Sequence, residues 1–287
     1  MKHISYLGGE PFLASCLLEA AAHAKSLGLR TAVVTNGTLL EAELLERIVE
    51  QSLFDSIVIS IDGPEEIHDQ IRGRRHTFKK AATGARLLQQ LKKTKKKKRP
   101  AFWMYATISA LNHQMLWDIF ETARRLDANA IRFISASCLT PRDMQASNIA
   151  LGYEGVTTHS YAVPENMRIP AGRLPAIRCD LKRIEKECRR VGMRFLCEGW
   201  LYGQAVKECL FLGREFVVST QGGLYLCPML PGLSVGNLKT DSLKEILKST
   251  LLGQQLLRLR YLSHQGLLPV CGGCCVEKLN SLQTTEG

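Results

Sequence analysis

Apolar residues recur along the first two-thirds of the chain as short runs separated by longer stretches of roughly 3.6-residue period. The runs at Ile4 to Leu7, Thr31 to Val34, Ser56 to Ile61, Phe102 to Ser109 and Ala130 to Ile134 predict strands. The stretches 13–27, 42–50, 78–93 and 115–126 predict helices between them. Strands that read as continuous apolar runs, each followed by a helix, predict a parallel α/β sheet with helices on both faces. Beyond it, Cys179 to Val191 reads as a helix and Arg194 to Cys197 as a last strand. The style changes near Lys207. Glu215 to Ser219 and Leu224 to Cys227, around Gln221-Gly222-Gly223, read as a hairpin, and Ser242 to Leu262 as one long helix.

In parallel α/β folds ligands gather at the C-terminal ends of the strands. Here those ends carry Gly8-Gly9-Glu10-Pro11, Thr35-Asn36-Gly37, Ser60 to Gly63, Asn112 and Ser135 to Cys138. Two glycines admit close approach of a ligand to the backbone, Glu10 adds an anion, and Pro11 sets the first φ of the following helix. Residues 139–175 are rich in Gly, Pro, Ser and Thr without sustained period, so they predict a long loop leaving that face.

The 287 residues carry 38 basic and 27 acidic side chains, a formal charge of +11. Lys92, Lys93, Lys95 to Lys98 and Arg99 supply seven of those positive charges. This run leaves a helix and enters a strand, so it belongs at the end of the sheet remote from the ligand face. It has no interleaved aromatics, so a solvated loop is expected and no nucleic-acid partner. No stretch of about 18 apolar residues predicts a membrane span, and the N-terminus does not read as a secretory leader, so the expected location is the cytoplasm.

Ten cysteines in a cytoplasmic chain point to metal rather than disulfides. Cys209, Cys227, Cys271 and Cys274 form a patterned set ending in Cys-x-x-Cys, and four thiolates can close one iron-sulfur or zinc site. Cys16, Cys179 and Cys188 fall in helices and read as small apolar residues. Cys138, after a strand at the ligand face, is the one candidate for contact with substrate.

Together, Gly8-Gly9-Glu10-Pro11, Thr35-Asn36-Gly37, Ser60-Ile61-Asp62-Gly63-Pro64 with His68-Asp69 and Arg72-Gly73, and the late cysteines with Gly222 resemble a radical S-adenosylmethionine protein with a C-terminal Twitch or SPASM-type domain. The resemblance implies a partial (β/α) TIM-like barrel over residues 1–205 and a small α+β auxiliary-cluster domain over 206–287. It implies that Gly8, Gly9, Glu10 and Pro11 hold the methionine amino group, with Asn36 beside them. Ser60 and Asp62 would then reach the ribose, and Arg72 would pair with the carboxylate. It also implies one auxiliary [4Fe-4S] cluster on Cys209, Cys227, Cys271 and Cys274. The activity implied is hydrogen abstraction by a 5'-deoxyadenosyl radical from a peptide, carbohydrate or small metabolite, with ferredoxin or flavodoxin as electron donor.

The Cys-x3-Cys-x2-Cys loop that would hold the cofactor-cleaving [4Fe-4S] cluster is absent from the 287 residues. Met1 stands where the second barrel strand would begin, so an N-terminally truncated, inactive form of a longer enzyme is expected, with that second cluster only in the full-length protein. The competing reading is a non-catalytic metal-binding or adaptor remnant of the fold with a structural four-cysteine zinc site.

Overall fold

A computed structural model describes residues 2–136, 141–152, 165–198, 201–202, 209, 212–230 and 233–272. The chain divides into two compact units, Met1–Ile134 with Ile169–Cys197, and Ser135–Arg168 with Glu198–Gly287.

In the first unit β1 (His3–Tyr6), α1 (Leu17–Ser26), β2 (Arg30–Thr35), α2 (Ala42–Glu50) and β3 (Ser56–Ser60) follow the expected alternation. Two helices, α3 (Glu65–Arg72) and α4 (Thr77–Thr94), lead to β4 (Ala101–Ile108), α5 (Leu116–Arg125) and β5 (Ala130–Ser135). After α6 (Pro141–Ala150), the helix α7 (Leu174–Arg190) returns the chain to β6 (Arg194–Cys197). The six strands lie in chain order, β1-β2-β3-β4-β5-β6. The pairs β1–β2, β2–β3, β3–β4 and β5–β6 are parallel, and Ser5 stands beside Ala32, Val34 beside Val58, Ser60 beside Tyr105 and Arg132 beside Leu196. This is the ordered, parallel sheet of an open (β/α) barrel.

The two faces of the sheet are both buried along β2 and β3 and differ along β4. Along β4, Phe102, Met104, Ala106 and Ile108 are fully buried, while Ala101, Trp103, Tyr105 and Thr107 are half-buried. Successive side chains of a strand point to opposite faces, so that alternation marks one covered face and one more open face. The helices bury apolar stripes at helical spacing: Leu45, Ile48 and Val49 of α2; Leu116, Ile119, Phe120 and Ala123 of α5; Ile177, Leu181, Ile184 and Cys188 of α7.

The second unit holds a three-stranded antiparallel sheet, β7 (Val217–Val218), β8 (Gly223–Tyr225) and β9 (Ser234–Asn237), then α8 (Leu243–Lys248), α9 (Thr250–His264) and α10 (Pro269–Gly272). The hairpin around Gln221-Gly222-Gly223 is as expected. The long helix is instead two. Ser249 adopts an extended conformation and its Oγ accepts from the Leu252 N–H at 3.2 Å, so the serine ends one helix and caps the next. The expected loop 139–175 contains α6 and the start of α7. Met144 and Leu151 from this segment join Leu224, Leu226, Val235, Ile246 and Leu259 in the core of the second unit.

The lysine run is exposed from Lys93 to Arg99, as expected of a solvated segment, and is tied down at its start and by surface ion pairs. Lys92 is buried and donates to Gln89 at 2.8 Å; Lys93 pairs with Asp127, Lys95 with Glu50 and Arg99 with Asp55. Among the described residues no helix is long and apolar enough to cross a membrane.

Candidate functional site

The polar strand ends of β1 to β4 form two hydrogen-bonded brackets, one joining β1 to β2 and one joining β3 to β4. Past β1 the chain runs through Gly8 and Gly9 to Glu10, whose Oε1 accepts from Thr35 Oγ1 at 2.8 Å and from the Phe12 N–H at 3.2 Å. Its Oε2 accepts from the Asn36 N–H at 2.8 Å. Pro11 then starts a single 3-10 turn, and α1 begins only at Leu17, because Ala14 is already extended. Glu10 therefore staples the β1 end to the β2 end with both carboxylate oxygens. Asn36 makes its own turn, its Oδ1 accepting from the Thr38 N–H at 2.8 Å and from Thr38 Oγ1 at 2.7 Å.

Gly8 and Gly9 are exposed, and a Cβ built on either would meet nothing within 4 Å. Gly8 has φ +143°, a conformation that calls for glycine, but Gly9 has neither positive φ nor a crowded Cβ. Gly37 differs: at φ +77° its Cβ would approach Ala81 Cα to 3.0 Å, so there packing demands glycine. Nothing internal demands it at position 9.

Past β3, Asp62 is 1% exposed. Its Oδ1 accepts from the Thr107 N–H at 2.9 Å, and its Oδ2 lies 2.7 Å from Arg72 Nη2. The sequence placed Asp62 against a ribose. The structure commits both its oxygens within the protein, so the side chain ties β3 to β4 and aims Arg72. Arg72 remains partly exposed, with donors of its guanidinium to spare. Ser60 is half-buried at the β3 end. Buried Asn112 reinforces the bracket, donating from Nδ2 to the carbonyls of Asp62 (2.6 Å) and Thr107 (2.8 Å) and accepting from the Ser109 N–H at 2.7 Å.

The helix α3, absent from the predicted elements, explains the His68-Asp69 and Arg72-Gly73 pairs. His68 is buried against Phe78 and its Nδ1 accepts from the Asp62 N–H at 3.1 Å, which assigns the proton to Nε2. Asp69 caps α4, accepting from Thr77 Oγ1 at 2.6 Å and from the N–H groups of Phe78 and His76. Gly73, in the left-handed conformation at φ +63°, closes α3.

Burial holds His68 below the usual histidine range, opposed by Asp62, and His113 is lowered by burial and by Arg173. Burial pushes Asp69 up, but its three hydrogen bonds outweigh that and hold it at about 2. A histidine with a depressed folded pKa binds fewer protons than its unfolded counterpart. The histidine contribution should therefore be flat from pH 6.5, the ordinary histidine value, to pH 8, and stability should fall as the pH drops below 6.5, by at most about 1.4 kcal/mol per pH unit for each such histidine. Asp69 adds a second loss between its ordinary 3.8 and about 2. Urea unfolding at pH 8, 6.5 and 5 checks this: His68→Asn should reduce the slope below pH 6.5, with His113 supplying the remainder, and an unchanged slope would remove His68 from the account.

In the second unit, Cys209, Cys227 and Cys271 are half-buried, outside any disulfide, and packed against the same core cluster. Cys227 follows β8, and Cys271 lies in α10. Cys274 and Cys138 lie outside the described residues. Among the described residues no three His, Cys, Asp or Glu side chains are gathered tightly enough to hold an ion. Three soft thiol donors around one apolar cluster are nevertheless the donor chemistry of an iron-sulfur or zinc site. Cys16 and Cys179 are exposed rather than packed; Cys188 is buried, and burial raises its thiol pKa to about 12.

Sequence reasoning did not single out a second feature of the sheet. Arg132 stands mid-strand in β5, its Nη1 donating to Tyr105 Oη at 3.1 Å, and Arg194 lies over the ring of Trp103. The available signal was a cation alternating with apolar residues inside a predicted strand.

Residues 1–126 match the Radical SAM superfamily, and residues 209–275 match the SPASM iron-sulfur cluster-binding domain. The AdoMet-dependent heme synthase of Methanosarcina barkeri is 26% identical over 241 residues, covering 83% of this chain and 66% of that protein. The PqqA peptide cyclase of Bradyrhizobium diazoefficiens is 29% identical over 133 residues, covering 45% of this chain and 32% of that one. Among solved structures, Streptococcus suis SuiB bound to S-adenosylmethionine superposes with a TM-score of 0.66 at 15% identity, over 96% of this chain and 62% of SuiB. The chain thus spans from a third to just under two-thirds of these proteins' lengths, and the last likeness concerns the fold.

Proposed function

We propose, from the match of residues 1–126 to the Radical SAM superfamily and of residues 209–275 to the SPASM iron-sulfur domain, that the first unit binds S-adenosylmethionine at the β1 to β4 strand ends, as part of an enzyme that abstracts hydrogen from a peptide, carbohydrate or small metabolite. The observation that carries the cofactor site is Gly9: exposed backbone, anchored from below by Glu10, at a position where neither packing nor conformation requires glycine. Bare main-chain carbonyls there suit the methionine ammonium group. Ser60 is assigned to the ribose hydroxyls, and Arg72, aimed by Asp62, to the carboxylate. Asn36 orders the neighbouring turn.

Cys209, Cys227, Cys271 and Cys274 are assigned to one auxiliary [4Fe-4S] cluster, which when bound supplies one-electron redox chemistry. Ferredoxin or flavodoxin is the proposed electron donor. The ten cysteines nowhere show the Cys-x3-Cys-x2-Cys spacing, so these 287 residues are proposed to bind the cofactor without cleaving it. Porphyrins and peptides, the classes named in the two relatives, are the substrates to test first.

The test is calorimetric titration of the chain with S-adenosylmethionine, alongside Gly9→Ala. The variant should melt with the wild type, since its Cβ meets nothing, yet bind about tenfold more weakly, a difference of about 1.4 kcal/mol. Equal affinity, or no binding by the wild type, would refute the assignment.

A further inference from the structure

The more open face of β4 and β5 carries a cation that no carboxylate among the described residues neutralises. Arg132 is the third residue of β5. Its Nη1 donates to Tyr105 Oη at 3.1 Å, and its guanidinium carbon lies 5.1 Å from the centre of the Tyr105 ring. A hydroxyl and a ring face hold the fork, and neither cancels its charge. Several other arginines of this unit meet carboxylates, Arg72 with Asp62, Arg99 with Asp55 and Arg124 with Glu121, while Arg125 donates to the Glu121 carbonyl. Among the described residues none does so for Arg132, although it is half-buried and flanked by apolar strand residues.

Placing a charge mid-strand is costly, and the chain could have avoided the cost with any aliphatic side chain. Register puts Ser60 directly beside Tyr105, so the Arg132 fork shares its face with the residue assigned to the ribose. Arg72 serves the strand ends, two residues past Ser60 by way of Asp62. Arg132 lies lower, level with Tyr105.

We infer that Arg132 anchors an oxyanion of the substrate, a carboxylate or a phosphate, with Tyr105 holding the guanidinium in place. The inference rests on the proposed reading in one respect, that this sheet face is where substrate meets the cofactor. The committed class is therefore an anionic substrate, and a neutral one is excluded.

The experiment uses the whole chain and three probes measured by equilibrium dialysis: coproporphyrin III with four carboxylates, its neutral tetramethyl ester, and inorganic triphosphate. S-Adenosylmethionine affinity is measured separately. The expected result is that one of the two anionic probes binds, that the ester does not, and that Arg132→Gln weakens the anion about tenfold or more, the scale of a lost bond to a charged group. Tyr105→Phe keeps the charge but frees the fork, and should weaken the same probe by a smaller factor, about threefold. S-Adenosylmethionine affinity should be unchanged in both variants, with circular dichroism melting as the check on folding.

Equal anion binding by wild type and Arg132→Gln overturns the inference, as does failure of both anions to bind the wild type. Tight binding of the ester overturns it too. A fall in S-adenosylmethionine affinity in Arg132→Gln would also overturn it by placing Arg132 in the cofactor pocket. If the wild type binds an anion through Arg132 but not S-adenosylmethionine, the cofactor assignment fails while this inference stands.

Discussion

Asp62→Ala should cost the chain roughly 2–4 kcal/mol of stability, the combined scale of a lost charge-assisted bond and a buried amide left without an acceptor. The carboxylate is 1% exposed and serves Thr107 N–H and Arg72 at once. The Arg72 side chain is 31% exposed, so water screens that half of the interaction, and most of the loss comes from the β4 amide. Asp62→Asn retains an acceptor for Thr107 and should lose about half as much. Both variants should also bind S-adenosylmethionine more weakly, because Arg72 loses the partner that aims it. Urea midpoints give the stability; an unchanged midpoint in Asp62→Ala would show that the bracket does not hold the sheet together.

Cys227→Ser should have the other large effect, on iron rather than on the sheet. Anaerobically reconstituted wild type is expected to carry about four iron and four sulfide per chain at the auxiliary site, and the variant close to none. The second unit has a small core, so ligation should contribute directly to its folding, and its melting transition should fall or vanish while that of the first unit persists. Cys16→Ser, on an exposed thiol before α1, is the control and should change neither quantity. Stoichiometric zinc with no visible absorbance would replace iron-sulfur by a structural staple.

Much of this was legible in the sequence for a simple reason: strand, helix and glycine signals are local. Every strand of the sheet was expected within a residue or so at most ends, and α2 was expected at its observed bounds. What escaped depends on contacts far along the chain. The helix α3 is short and polar, with a mean pattern that only His68 buries, so no apolar stripe announces it. The Ser249 break is written in the sequence as Ser-Thr, but propensity on both sides favours helix and hides it. The segment 139–175 looks featureless because α6 is weakly amphipathic, and Met144 and Leu151 become core only once distant strands arrive. Among candidate site residues, the glycines and Ser60 could be located at strand ends from the sequence. Asp62 could be found but not understood, because its true partners, Thr107 and Arg72, are settled by the β3–β4 pairing.

The insertion of α6 into the second unit has a consequence for how this protein can be cut and recombined. The polypeptide crosses between units at residues 134–135, 168–169 and 197–198, so a single junction near residue 205 cannot separate them cleanly. A fragment beginning there leaves Met144 and Leu151 behind and exposes the apolar surface they cover. Exchange of the cysteine-bearing module between relatives would therefore carry the 135–168 segment with it, and a chimera that moves only the last eighty or so residues inherits a core with a missing wall.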